Sequence, residues 1–81
     1  MVKVTVKFFA VGRDITGSDE LMLELPEGTT AGEVLIQVKQ RYPAFEKVAA
    51  LLVAVNLDYA DTATVLYDGD ELAVIPPVSG G

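Results

Sequence analysis

Apolar and polar positions alternate with a period of two over Val2 to Phe9, the spacing of a half-buried strand. Val2, Val4, Val6 and Phe8 fall on one face, and Lys3, Thr5, Lys7 and Phe9 on the other. Val11 to Gly17 reads as a loop with room for one helical turn. Leu21, Leu23 and Leu25 then alternate with Glu20, Met22 and Glu24, which predicts a second strand closed by the turn Pro26-Glu27-Gly28. The period changes after that turn. Thr30-Ala31-Gly32-Glu33 has the form of a capping box, and Val34, Leu35, Val38 and Tyr42 follow at helical spacing. Pro43 cannot continue the helix and disfavours helical dihedrals at Tyr42, so the pattern predicts a helix over 31–41. Leu51 to Val55 is apolar on both sides, as expected of a central strand. Asn56-Leu57-Asp58 turns the chain, Ala63 to Leu66 offers a short weak strand, and Asp68-Gly69-Asp70 turns it again. Leu72 to Ile75 is the last strand, and 76–81 is a tail.

The order is strand, strand, helix, strand, short strand, strand. That order predicts an α+β domain of the β-grasp (ubiquitin-like) type: a mixed sheet of four to five strands with one main helix packed on one face. A ferredoxin-like fold needs a second helix, and Ala44 to Ala50 is too short to supply a good one. The 81 residues fit a single domain, 1–81. Hydrophobic residues make up 51% of the chain, enough for a packed core and too many for a disordered one. No apolar run approaches the ~20 residues that span a bilayer, and the alternating start is unlike a signal peptide. The expectation is a cytoplasmic protein with no membrane partner.

Charge and composition narrow the chemistry. There is no cysteine and no histidine, which removes disulfides, zinc sites built on those ligands, and cysteine or histidine catalysis. No metal site is expected. Twelve acids against six bases give a net charge of −6, which repels phosphates, argues against nucleic acid and suits a partner with a basic groove. Solubility alone is the competing explanation for that charge. The carboxylate pairs Asp19-Glu20 and Asp70-Glu71 read as solvated surface charge, and Arg13-Asp14 as a surface pair. Gly28 and Gly32 have neither the spacing nor the lysine of a phosphate loop. No internal active site is legible.

The end of the chain is different. At ~7% usage, two terminal glycines coincide about once in 200 chains. Here they follow Pro76-Pro77-Val78-Ser79. Two prolines stiffen the exit from the sheet, and Gly80-Gly81 can enter a slot too narrow for a side chain. The six residues Pro76 to Gly81 can reach ~20 Å. The α-carboxylate of Gly81 is a nucleophile toward a nucleotide phosphate. As an acyl-adenylate, Gly81 becomes an electrophile, and attack by a sulfur donor gives a thiocarboxylate. A chain with no cysteine has nowhere else to hold transferable sulfur.

The ending Asp68-Gly69-Asp70-Glu71-Leu72-Ala73-Val74-Ile75-Pro76-Pro77-Val78-Ser79-Gly80-Gly81 resembles the small, sulfur-carrier subunit of molybdopterin synthase, the MoaD family. Val4 to Ala10, with Arg13 and Gly17, and Leu52-Val53-Ala54-Val55-Asn56 are also similar to it. Sulfur carriers for thiamine synthesis share the diglycine but usually lack the double proline. The resemblance implies a carrier with no catalytic side chains of its own and no bound cofactor. A ubiquitin-activating-type adenylyltransferase would use ATP and magnesium to adenylate Gly81, and a sulfurtransferase would supply the sulfur. The tail would then enter the large synthase subunit, within a heterotetramer, and pass sulfur to cyclic pyranopterin monophosphate. The resemblance also implies an apolar docking patch at Phe9, Ile75 and Tyr59. Phe9 and Ile75 are large apolar residues on otherwise polar strand faces. A carrier for thiamine or tungsten cofactor synthesis, a modifier conjugated through Gly81, and a plain interaction module are the competing readings.

Overall fold

The computed structural model describes residues 1–47 and 51–76. Five strands form one mixed sheet: β1 (Val2–Phe8), β2 (Glu20–Leu25), β3 (Leu52–Val55), β4 (Asp58–Ala60) and β5 (Glu71–Ile75). Their order across the sheet is β2-β1-β5-β3-β4. β1 runs antiparallel to β2 and parallel to β5, and β3 runs antiparallel to both β4 and β5. The first and last strands are therefore neighbours at the middle of the sheet, as the β-grasp arrangement requires.

Helix α2 (Ala31–Arg41) crosses one face of that sheet. Its bounds follow from the sequence. Thr30 Oγ1 accepts a hydrogen bond from the Glu33 N–H at 3.2 Å, and Tyr42 ends the helix before Pro43. Ala31, Val34, Leu35 and Val38 are buried against Val4, Val6, Phe8, Leu72 and Val74. A 3-10 turn over Pro43–Lys47 then drops Phe45 into the core, where it is fully buried. Its ring lies 6.1 Å from that of Phe8, and Tyr42 packs edge-on against both.

Three expectations are corrected. The stretch after Ala10 is a true helix, α1 (Val11–Thr16), closed by Gly17 in the left-handed region. The short strand is β4 at Asp58–Ala60, and Ala63 to Leu66 contributes a single bridge between Val65 and Thr30. The backbone of that segment is engaged elsewhere. The Thr64 and Thr62 carbonyls accept from the Ala31 and Gly32 N–H groups at 2.8 and 2.9 Å, and the Leu66 N–H donates to the Thr29 carbonyl. The loop thus satisfies donors that the first turn of α2 leaves open. The approach is close: a Cβ on Gly32 would lie 2.8 Å from Thr62 Cβ and 2.9 Å from its carbonyl oxygen. Finally, β5 takes the middle of the sheet, and β3 lies between β5 and β4.

The acidic turn before β5 is also more than solvated charge. Asp70 accepts from the Tyr67 N–H at 2.8 Å and from Asn56 Nδ2 at 2.9 Å, and Asp68 accepts from the Lys3 N–H at 2.8 Å. The Gly69 N–H, at a residue with φ 86°, donates to the Lys3 carbonyl. The Asp-Gly-Asp turn therefore ties β1, the β3–β4 turn and β5 together.

Candidate functional site

The face of the sheet opposite α2 carries no described element. Residues opposite one another in the strand register share a face, so the pairings map it. Glu20 stands opposite Lys7, Lys7 opposite Ala73, Ala73 opposite Ala54, and Ala54 opposite Tyr59. One row toward the tail, Ile75 stands opposite Leu52. Phe9 follows directly after the Phe8–Val74 pair and is 42% exposed, whereas Phe8 is in the core. Tyr59 is 78% exposed, Leu52 is 47% exposed, and Ile75 is half-buried.

This open face has two unlike halves. On β2 and β1, Lys7 pairs with Glu20 at 3.5 Å, and Thr5 Oγ1 lies 3.0 Å from Met22 Sδ. Arg13 reaches Asp19 at 2.8 Å, so its ionic partner is Asp19 rather than its neighbour Asp14. On β5, β3 and β4 Glu71 occupies the end remote from the tail, and the other residues, Ala73, Ile75, Leu52, Ala54 and Tyr59, are apolar or aromatic. The structure therefore brings Ile75 and Tyr59 to the same half, with Phe9 at its tail end. Sequence reasoning missed Leu52. Its signal was present, because a strand that places Val53 in the core must turn Leu52 to the other side.

β5 delivers the chain at Pro76, which is half-buried, directly beside this half. The expected tail residues Pro77, Val78, Ser79, Gly80 and Gly81 lie outside the described residues. Among the described residues no cluster of three potential metal ligands occurs, and no helix is long and apolar enough to cross a membrane.

A sheet in the order β2-β1-β5-β3-β4, one main helix across one face and a diglycine end define the ubiquitin-like β-grasp class. The ThiS family model matches residues 6–81. The chain belongs to the ThiS family and, within it, to the molybdopterin synthase sulfur carrier subunits. It is 40% identical over 85 residues to that subunit from Mycobacterium tuberculosis, covering 100% of both chains. It is 37% identical over 81 residues to the one from Arabidopsis thaliana, covering 99% of this chain and 84% of the other. A Pyrococcus furiosus structure assigned as molybdopterin converting factor subunit 1 superposes with a TM-score of 0.87 at 37% identity, covering 96% of this chain and 100% of that one. A complex of subunits 1 and 2 of the Helicobacter pylori molybdopterin-converting factor contains a match with a TM-score of 0.70 at 25% identity, covering 99% and 100%.

Proposed function

We propose that this chain carries sulfur to molybdopterin as a thiocarboxylate on Gly81 and works in the cytoplasm as the small subunit of a heterotetrameric synthase. The carboxylate of Gly81 attacks the α-phosphorus of ATP on an adenylyltransferase that supplies magnesium, and pyrophosphate leaves. Sulfide-level sulfur delivered by a sulfurtransferase then attacks the acyl carbon, AMP leaves, and the thiocarboxylate forms. The large subunit accepts the tail, the thiocarboxylate sulfur attacks cyclic pyranopterin monophosphate, and water cleaves the resulting acyl C–S bond and returns the Gly81 carboxylate. The chain contributes no catalytic side chain to these steps. Its roles are to dock and to deliver one reactive group.

The observation that carries this reading is the exit of β5. Ile75, on the apolar half of the open face, is followed at once by Pro76 and then by the diglycine sequence. Docking of that half thus sets where the tail begins, and the tail's reach of ~20 Å suits a buried site on a partner. Phe9, Ile75 and Tyr59, with Leu52, are the residues proposed to make the contact. The Helicobacter pylori complex of subunits 1 and 2 supports a large-subunit partner. The test is intact mass after incubation with the adenylyltransferase, ATP, magnesium and a sulfur source. The expected product has one oxygen replaced by sulfur at Gly81. An unmodified mass under those conditions, with the adenylyltransferase shown to be active on another carrier, refutes the reading.

A further inference from the structure

At the tip of the β3–β4 turn stands a residue that serves the isolated chain poorly. Asn56 and Leu57 form a two-residue hairpin connection with φ of 51° and 75°. Such a turn favours Asn at its first position and Gly at its second. Asn56 fits and is held by Asp70 and by the Glu71 N–H. Leu57 does not fit. It is a γ-branched residue in the left-handed region, and it is 91% exposed, the most exposed of the large apolar residues described. It gains no packing that offsets the backbone strain.

Its surroundings indicate what would cover it. Tyr59, two residues on, belongs to the apolar half of the open face, so Leu57 extends that surface past the end of the sheet. From residue 51 to the end the chain has five acids (Asp58, Asp61, Asp68, Asp70 and Glu71) and no lysine or arginine. Asp58 adjoins the tip, and Asp70 bonds to its first residue. An apolar tip next to Asp58, in a stretch with five acids and no basic residue, complements an apolar pocket edged with basic side chains.

We propose that Leu57 is a second anchor for the large subunit, seated in an apolar pocket edged with lysine or arginine, and that it sets partner specificity at the end of the interface remote from the tail. The inference rests on the reading that this face docks the large subunit. Strain and exposure at Leu57 are then costs borne by the free chain and offset in the complex.

The experiment measures affinity of the thiocarboxylate-free full chain for the large subunit by calorimetry, with wild type, Leu57→Gly, Asp58→Asn and Ile75→Glu side by side. Leu57→Gly restores the preferred Asn-Gly turn, so its thermal midpoint should equal or exceed that of wild type. Its affinity should nevertheless fall about tenfold or more, as expected for losing a buried leucine at an interface. Asp58→Asn should weaken binding severalfold at low salt and flatten the dependence of affinity on salt, and an unchanged salt dependence overturns the basic edge of the pocket. Leu57→Gly binding within twofold of wild type, with Ile75→Glu impaired, overturns the anchor and leaves the docking face standing. Loss of self-association in Leu57→Gly with large-subunit affinity unchanged overturns it equally, in favour of a contact between copies. Failure of the wild-type chain to bind the large subunit removes both the docking face and the anchor.

Discussion

The two faces of the sheet are built from the same strands and have opposite fates. On the covered face Val4, Val6, Phe8, Leu72 and Val74 are each at most 1% exposed beneath α2. On the open face Leu52, one residue before buried Val53, is 47% exposed, and Phe9, one residue after buried Phe8, is 42% exposed. The difference is not hydrophobicity, since Phe8 and Phe9 are the same residue type. It is the presence or absence of a partner element. The covered face is finished by the chain itself, and among the described residues nothing covers the apolar half of the open face, the surface proposed to dock the large subunit. Exposed large apolar residues gathered on one half of a sheet mark an interaction surface.

Substitutions at the adjacent Phe8 and Phe9 separate the two faces most clearly. Phe8→Ala should cost about 3–5 kcal/mol in urea unfolding, because it empties a site walled by Phe45, Tyr42 and α2. A loss within the range of a surface substitution would show that the covered face is not the core. The next largest effect should be Gly32→Ala. The added Cβ meets Thr62 at 2.8 Å, so the loop must move off α2, and the expected net loss is about 1–2 kcal/mol after the gain in helix propensity. Equal or higher stability would mean that the loop yields freely. Asp70→Ala should cost about 1 kcal/mol or somewhat more, since the Tyr67 N–H and Asn56 Nδ2 lose their acceptor. The smallest change in stability, within about 0.5 kcal/mol, is expected for Phe9→Glu. That variant should still lose large-subunit binding, because it places a charge in a desolvated contact. A large loss of stability with binding intact would reverse the assignment of the faces.

Much of the covered face was legible because it rests on strict periods. Val2 to Phe8 and Leu21 to Leu25 alternate cleanly, and Thr30, Glu33 and Pro43 bracket α2. The parts that were not legible depend on contacts between distant segments. β4 is three residues with an acid at its start, and its turn carries Leu57 where the turn favours glycine. Thr64-Val65-Leu66 looks like a strand, but its backbone is drawn to the N-terminus of α2 by a close approach at Gly32 that no local pattern announces. Phe45 follows Pro43-Ala44 and precedes Glu46-Lys47, a stretch too short to show a period, so no period pointed it inward. Asp70 reads as surface charge until Tyr67 and Asn56 are placed around it. Of the candidate site, Phe9 and Ile75 followed from strand faces. Leu52 was legible only as the residue turned away from Val53, its place beside Ile75 required the register between β3 and β5, and Tyr59 required the position of β4.

The face covered by α2 is proposed as scaffold, and the proposed reacting group is the carboxylate of Gly81. A chain bearing a short polar extension after Gly81, removable by a protease, tests this most directly. An extension crossing no core contact should leave the thermal midpoint unchanged. It replaces the reacting carboxylate with a peptide amide, a far poorer nucleophile toward a nucleotide phosphate. In a purified system, the extended chain should form no thiocarboxylate and no molybdopterin, and trimming to Gly81 should restore both. Molybdopterin formation by the untrimmed chain would show that the sulfur is not carried on the Gly81 carboxylate.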